Sequence, residues 1–196
     1  KEPQQGRARA TVDAILGAAE QLTRREGIEW WTTNHVAERA GVSIGSLYQY
    51  FPSKESLVTA LYLHRRAAHL ALLAPALAAL GDPDVDGAAA ERAVARAWLG
   101  HGAAEVDWRF DLALRDHLVA VGAARKLGGA DEQARQLVRQ VLARRGLDVA
   151  AAARRAQVVV RAIDAAIAEL ARAQPAALAE PALVDDIAAL VAALRG

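Results

Sequence analysis

The stretch Thr32–Lys54, TTNHVAERAGVSIGSLYQYFPSK, constrains this chain more than any other part of it. It reads as two short helices separated by a tight glycine turn. Val36, Ala37 and Ala40 put small apolar groups on one face of the first helix. Gly41 supplies the left-handed backbone that ends it. Val42 plugs the corner, Ser43 caps the second helix with its hydroxyl, and Leu47 and Phe51 form that helix's inner face. Ile44, Gly45, Ser46, Tyr48, Gln49 and Tyr50 are left pointing outward. This is the layout of a helix-turn-helix whose second helix enters a DNA major groove.

The rest of the chain reads as helix too. At 196 residues it is long enough for one large domain or two small ones, and apolar residues make up 54% of it, alanine above all. No stretch alternates as a strand, and charge, proline or glycine interrupts every apolar run before it reaches membrane-spanning length. The fold class expected is all-α, with no membrane partner. The start shows no signal-peptide pattern, and there is no cysteine, which excludes disulfides and thiolate sites and fits a cytoplasmic protein. No glycine-rich phosphate loop, HExxH or Ser-His-Asp pattern of recognised type is present, so neither an enzyme nor a cofactor is expected. The loop GDPDVDG at 81–87 resembles the start of a calcium loop, but Ala93 stands where the closing glutamate belongs. It is read as a solvated turn, and no metal is expected.

Net charge is only +1. Residues 1–66 carry nine Lys/Arg against seven Asp/Glu, so any nucleic-acid contact must come from placement rather than bulk charge. Lys1, Arg7 and Arg9 fall in a polar stretch, 1–9, read as a loose arm, and Lys54 follows the second short helix. An amphipathic helix runs from about Ala10 to Glu26 with Val12, Ile15, Leu16, Ala19 and Leu22 inward, and Gly27 ends it. Trp30 and Trp31 follow, and Trp30 is given no role. Thr32 or Thr33 caps the next helix, leaving Asn34 and His35 in a first turn suited to a phosphate. On the second short helix, Gln49 can offer donor and acceptor together to a base edge, most naturally adenine. Tyr48 and Tyr50 suit phosphates or sugars, Ile44 a thymine methyl, and Gly45 lets the backbone approach.

Pro52 and Ser53 break that helix and start a long one, Leu57 to about Leu73, which Pro75 kinks or ends. Helices follow at about 88–104, 106–118 and 130–145, the last closed by Gly146. Trp98, His101, Trp108, Phe110 and His117 cluster in sequence beside Asp107, Asp111 and Arg115. They suit either a mostly apolar pocket with a few orienting polar groups or simply the core of an alanine-leucine chain. Asp148 caps a helix whose Val149, Ala153, Ala156, Val160, Ile163, Ile167 and Leu170 step by four and three, a heptad seam. The last helix repeats the spacing with Leu183, Ile187, Leu190 and Leu194, and the two apolar faces suit either an interface between subunits or a purely internal hairpin.

The pieces TT at 32–33, VAERAGVS at 36–43, GSLYQYF at 45–51 and SKESL at 53–57, in that order and near the N-terminus, resemble the DNA-binding signature of the tetracycline-repressor (TetR) family. The resemblance is specific over about residues 10–60. It implies a three-helix DNA-binding head at 1–56, a connecting helix at 57–80 whose tilt can carry a signal, and a helical effector-binding and dimerisation domain at 81–196. It implies DNA contacts from Thr33, Asn34, Ser43, Ile44, Gly45, Ser46, Tyr48, Gln49, Tyr50 and Lys54, and makes Trp31 a core plug. It implies a homodimer joined through Val149, Ala153, Ala156, Val160, Ile163, Ile167, Leu183, Ile187, Leu190 and Leu194. Such a protein is a repressor released from a pseudo-palindromic operator by a small, mostly apolar effector. A DNA-binding regulator with no effector, or one controlled by a protein partner, is the alternative.

Overall fold

A computed structural model of the chain describes residues 2–101 and 106–195. Among these residues there is no strand. The helices are α1 (Glu2–Glu26), α2 (Thr33–Ala40), α3 (Ile44–Tyr50), α4 (Lys54–Leu80), α5 (Gly87–Leu99), α6 (Trp108–Ala120), α7 (Gly128–Arg144), α8 (Val149–Ala173) and α9 (Pro181–Ala192), with short 3-10 turns at 124–127, 175–179 and 193–195. None of the described helices is long and apolar enough to cross a membrane.

Three helix limits differ from expectation. α1 begins at Glu2 rather than Ala10, so most of the expected loose arm is helical, and Lys1 lies outside the described residues. Pro3 sits in the first turn, where a missing N–H costs nothing, and the residues after it are mostly good helix formers. α4 runs through Pro75 to Leu80. The proline ring is exposed, while Leu70, Leu73, Leu77 and Leu80 on either side of it are buried and hold the helix together across the lost hydrogen bond. α5 stops at Leu99, because Gly100 takes φ of +74° and a Cβ there would lie 2.2 Å from that of Val106. Of its expected continuation, 102–104 fall outside the described residues.

The chain divides into two compact units, one of residues 1–64 with 113–127 and one of 65–112 with 128–196. The boundaries of these units fall within α4, within α6 and just before α7. In the first unit α1 packs on α2 and α2 on α3, and Ile15, Leu16, Ala19, Leu22, Trp31, Val36, Leu47, Leu57 and Leu61 are buried. In the second, one core joins Leu73 and Leu77 of α4, Val94 and Trp98 of α5, Val138 and Leu142 of α7, Val160 and Ile163 of α8, and Ile187 and Val191 of α9.

The expected dimer seam is largely consumed by that core. Ala156, Val160, Ile163, Ile167, Ile187 and Leu194 are at most 2% exposed inside the subunit, and Ala153 and Leu183 are half-buried. α8 and α9 turn the six buried side chains toward α5, α7 and each other, which leaves those six no surface to give a second copy. Only Val149 and Leu190 of the seam are open, at 86% and 40%. The outward face of α8 carries Val158, Ala162 and Ala165 instead, and that of α9 carries Ala189 beside Leu190.

Candidate functional site

The two short helices are fixed by their caps. Thr32 is the N-cap of α2, its hydroxyl accepting from the His35 amide at 3.4 Å, which leaves Thr33 inside the helix. Gly41 ends α2 at φ of +68°, with its N–H and that of Val42 returning to the carbonyls of Glu38 and Ala37. Ser43 caps α3 by accepting from the Ser46 amide at 3.0 Å, and the two serine hydroxyls are 2.8 Å apart. Leu47 is wholly buried and Phe51 nearly so, which sets α3's outward face. On that face Ile44, Gly45, Tyr48, Gln49 and Tyr50 are exposed and Ser46 is half-buried. Asn34 is exposed on α2, where its first turn presents free amides.

Three of the expected DNA contacts, Thr33, Tyr48 and Lys54, have internal partners that sequence reasoning missed. The Thr33 and Tyr48 hydroxyls share a hydrogen bond of 2.9 Å that ties the start of α2 to α3. The Lys54 ammonium donates to the Trp31 carbonyl at 2.9 Å and sits 4.5 Å from the Trp31 ring centre. Burial lowers the Lys54 pKa, against the pull of Glu29 and Glu55. Lys54 thus anchors the α1–α2 turn, with donors left over for a phosphate. Trp31 is buried, and its indole donates to the Thr23 hydroxyl at 2.8 Å, which itself donates to the Ala19 carbonyl. Trp30 is 77% exposed.

The aromatic cluster read from the sequence splits. His117 lies in the first unit, with Nδ1 2.7 Å from the Glu29 carboxylate. Trp98, His101, Trp108 and Phe110 lie in the second. Trp98 is wholly buried in the core, and its indole donates to Asp164 at 2.9 Å. His101 donates through Nε2 to the Leu178 carbonyl at 2.7 Å. Phe110 is buried under the Arg65 guanidinium, 4.7 Å from its ring centre. Trp108 is half-buried and meets the edge of His69 at 5.2 Å.

Around Trp98 and Trp108 the structure gathers charges that composition gave no hint of. Arg65 closes on Asp111, whose carboxyl is pushed up by burial and pulled back by that guanidinium. Arg66 reaches Asp164 at 3.3 Å and His69 Nδ1 at 3.2 Å, while His69 Nε2 donates to the Ala97 carbonyl at 3.1 Å. Arginine has no acceptor, so these bonds fix one neutral tautomer of His69. Burial, then the Arg66 charge, lowers its pKa to about 4 from an ordinary 6.5.

Between those values the unfolded chain binds the extra proton and the folded one does not, so stability rises with pH across that window. It is lost as pH falls from 6.5 to about 4, by up to roughly 3 kcal/mol. Denaturant unfolding at a series of pH values should show this slope, and a His69→Gln variant should lack it. Parallel curves for the two proteins would dismiss His69 as its source.

No group of three metal-ligating side chains occurs among the described residues. The aspartates of the 81–87 loop have local duties instead: Asp82 accepts from the Asp84 amide, and Asp86 caps α5 through the amides of Ala88 and Ala89.

Residues 15–61 match the family model described as bacterial regulatory proteins, tetR family. An uncharacterized HTH-type transcriptional regulator of Mycobacterium tuberculosis is 41% identical over 64 residues, which are 33% of this chain and 31% of that one. The match thus spans about a third of that relative's length. Over the whole chain the fold is that of a transcriptional regulator from Rhodococcus sp. RHA1, with a TM-score of 0.69 at 21% identity, covering 93% of this chain and 95% of that one. The multidrug binding protein EbrR, solved with ethidium, gives a TM-score of 0.66 at 22% identity and coverage of 92% and 97%. Residues 15–61 thus carry the sequence of the tetR family of bacterial regulatory proteins, and over its whole length the chain shares the fold of these solved regulators.

Proposed function

We propose that the protein is a sequence-specific DNA-binding regulator of transcription, acting as a homodimer and as a repressor that a small, mostly apolar molecule releases from its operator. The observation that carries the DNA-binding part is α3. Its inner face is spent on Leu47, while Ile44, Gly45, Tyr48, Gln49 and Tyr50 stand in solvent on a helix capped at Ser43. Helices of this kind read base edges from the major groove, and dimers place two of them on half-sites about 34–36 Å apart. Thr33, Asn34, Ser43, Ser46 and Lys54 are assigned to the backbone and its phosphates, where contacts position rather than specify.

For the dimer, the outward residues Val158, Ala162 and Ala165 of α8 and Ala189 and Leu190 of α9 offer small side chains that let helices approach closely. An open hollow of about 430 Å³ lined by Ala151, Arg154, Arg155 and Val158 lies along the same face of α8. The effector part draws on the likeness to EbrR, which was solved with ethidium and with malachite green. Release by such a molecule requires that it bind the DNA-incompetent conformation more tightly than the competent one. One observation favours a regulator without an effector, or one run by a protein partner: Trp98, the largest aromatic of the second unit's centre, is wholly buried in packed core.

Selection of bound sites from random duplex DNA, with the purified protein at physiological salt, should enrich an inverted repeat. A stable dimer that enriches nothing would refute the sequence-specific role. In the same assay Gln49→Ala should relax the preference at one position of each half-site, a loss of about 1–3 kcal/mol there. Equal weakening on every sequence would remove Gln49 from base reading.

A further inference from the structure

Besides Nη1 of Arg155, two N–H donors among the described residues of the second unit are closed off from solvent and hydrogen-bonded to nothing: Nε of Arg66 and the indole Nε1 of Trp108. Native interiors rarely leave such donors unpaired, since each has given up its water for no return. The two belong to one neighbourhood, because His69 touches both. Its Nδ1 accepts from Arg66 Nη1 at 3.2 Å, and its ring stands edge-on to Trp108 at 5.2 Å and 87°.

The side-chain acceptors that hold Arg65, Arg66 and the Trp98 indole already serve those donors. His69 is committed at both nitrogens, Nδ1 to Arg66 and Nε2 to the Ala97 carbonyl. Asp164 already divides its oxygens between Arg66 Nη2 at 3.3 Å and the Trp98 indole at 2.9 Å. Asp111 is closed on Arg65. The two arginines of α4 are therefore each matched by a carboxylate, and what the neighbourhood lacks is an oxygen rather than a charge. The remaining surroundings are apolar: Trp108 packs with Leu112, Ala168, Ala171 and Leu178, and Phe110 lies buried beside it in sequence.

We infer that Arg66 and Trp108 form a binding site for an uncharged, mostly apolar molecule that presents a carbonyl-type oxygen to their two free N–H groups. The inference rests on the small-molecule reading of the second domain and gives that molecule a chemical class. An anion would enter where both cations are already paired, and a cation would meet two arginines with no unpaired acceptor. A neutral oxygen satisfies both donors and leaves the charge balance untouched.

Four probes on one benzene ring separate these cases: acetophenone, ethylbenzene, benzoate and benzyltrimethylammonium, each titrated into the full-length protein by calorimetry. Acetophenone should bind at least about 10-fold more tightly than ethylbenzene, the worth of two hydrogen bonds of which one comes from a cation, and the two ions more weakly than either. Trp108→Phe keeps a ring but removes the donor, so acetophenone's advantage should shrink several-fold while ethylbenzene's affinity stays. Arg66→Lys, which keeps the charge facing Asp164 but loses Nε, should also shrink it and serves if the first variant does not fold. Equal binding of acetophenone and ethylbenzene to the unaltered protein would overturn the acceptor site and leave the small-molecule reading standing. So would preference for either ion. No binding of any probe would overturn both.

Discussion

Trp31→Ala should destabilise the head by about 3–5 kcal/mol, the cost of emptying a fully buried aromatic site. Trp31 is 1% exposed, its indole N–H is held by Thr23, and its carbonyl and ring face are held by Lys54. Three segments thus meet on one side chain: the end of α1, the turn before α2 and the first residue of α4. Trp31→Phe separates volume from hydrogen bonding. It keeps most of the ring and leaves no orphan, because the Thr23 hydroxyl still donates to Ala19, so its cost should stay near 1–2 kcal/mol, about one hydrogen bond plus a small void. Thr23→Val should cost at least as much as Trp31→Phe despite being nearly isosteric, since it strands the buried indole N–H. Denaturant unfolding followed by circular dichroism gives the three values. A Trp31→Ala loss below about 1 kcal/mol would mean that the head collapses around the missing ring and that the residue is not its keystone.

That the head can be read so far from sequence has a physical reason. Its elements are short, and short helices need explicit caps and stops. Gly41, Ser43 and Ser53 announce those caps and stops by residue type alone, and the pair Thr32 and Thr33 narrows the remaining cap to two residues. The inner face follows from the same stretch, with Val36, Ala37, Leu47 and Phe51 all buried as their spacing requires. What stays hidden in a sequence is the set of bonds between segments far apart in the chain. Thr23 looks like any threonine near a helix end, and Tyr48 like any outward tyrosine, until folding brings Trp31 to one and Thr33 to the other. Lys54 looks like a phosphate contact because of its position after α3, and the Trp31 carbonyl lies where sequence cannot show it.

The second domain is legible as helices and much less so as a site. Heptad spacing reports that a helix has one strongly apolar face and is silent on whether that face meets its own chain or another. In α8 it meets its own chain, which is why Val160, Ile163 and Ile167 disappear into the subunit while Val158 stays out. The aromatic residues mislead differently. Nearness in sequence puts His117 with Trp108, but the two are separated by more than two helical turns, and the units divide between them. The polar residues that do surround Trp108 and Trp98 come mostly from α4 and α8, with Asp111 from α6. Arg65, Arg66, His69 and Asp164 are scattered through helices whose other charges are solvated, and no local pattern marks them as buried.

Asp164 tests that buried network most sharply. Asp164→Ala should cost about 3–5 kcal/mol, the usual loss when one partner of a buried ion pair is removed, because Arg66 keeps its charge and the Trp98 indole keeps its proton with neither accepted. The carboxylate is 19% exposed, so water can reach part of the vacated space and the lower half of that range is expected. Asp164→Asn should fall between the alanine variant and the unaltered protein: one amide oxygen can serve Trp98 or Arg66 but not both, and its NH₂ then faces a donor. The double variant Arg66→Met with Asp164→Leu removes both charges and fills their volume. It should be less destabilised than Asp164→Ala alone, retaining mainly the cost of the stranded Trp98 indole, about 1–3 kcal/mol. Additive losses in that cycle would show the two residues uncoupled and the 3.3 Å contact without energetic weight. Coupling of the expected sign, together with a shallower His69 pH slope in the double variant, would show one cooperative unit in which Arg66 adds to the effect of burial on His69 and Asp164 makes Arg66 tolerable in the core.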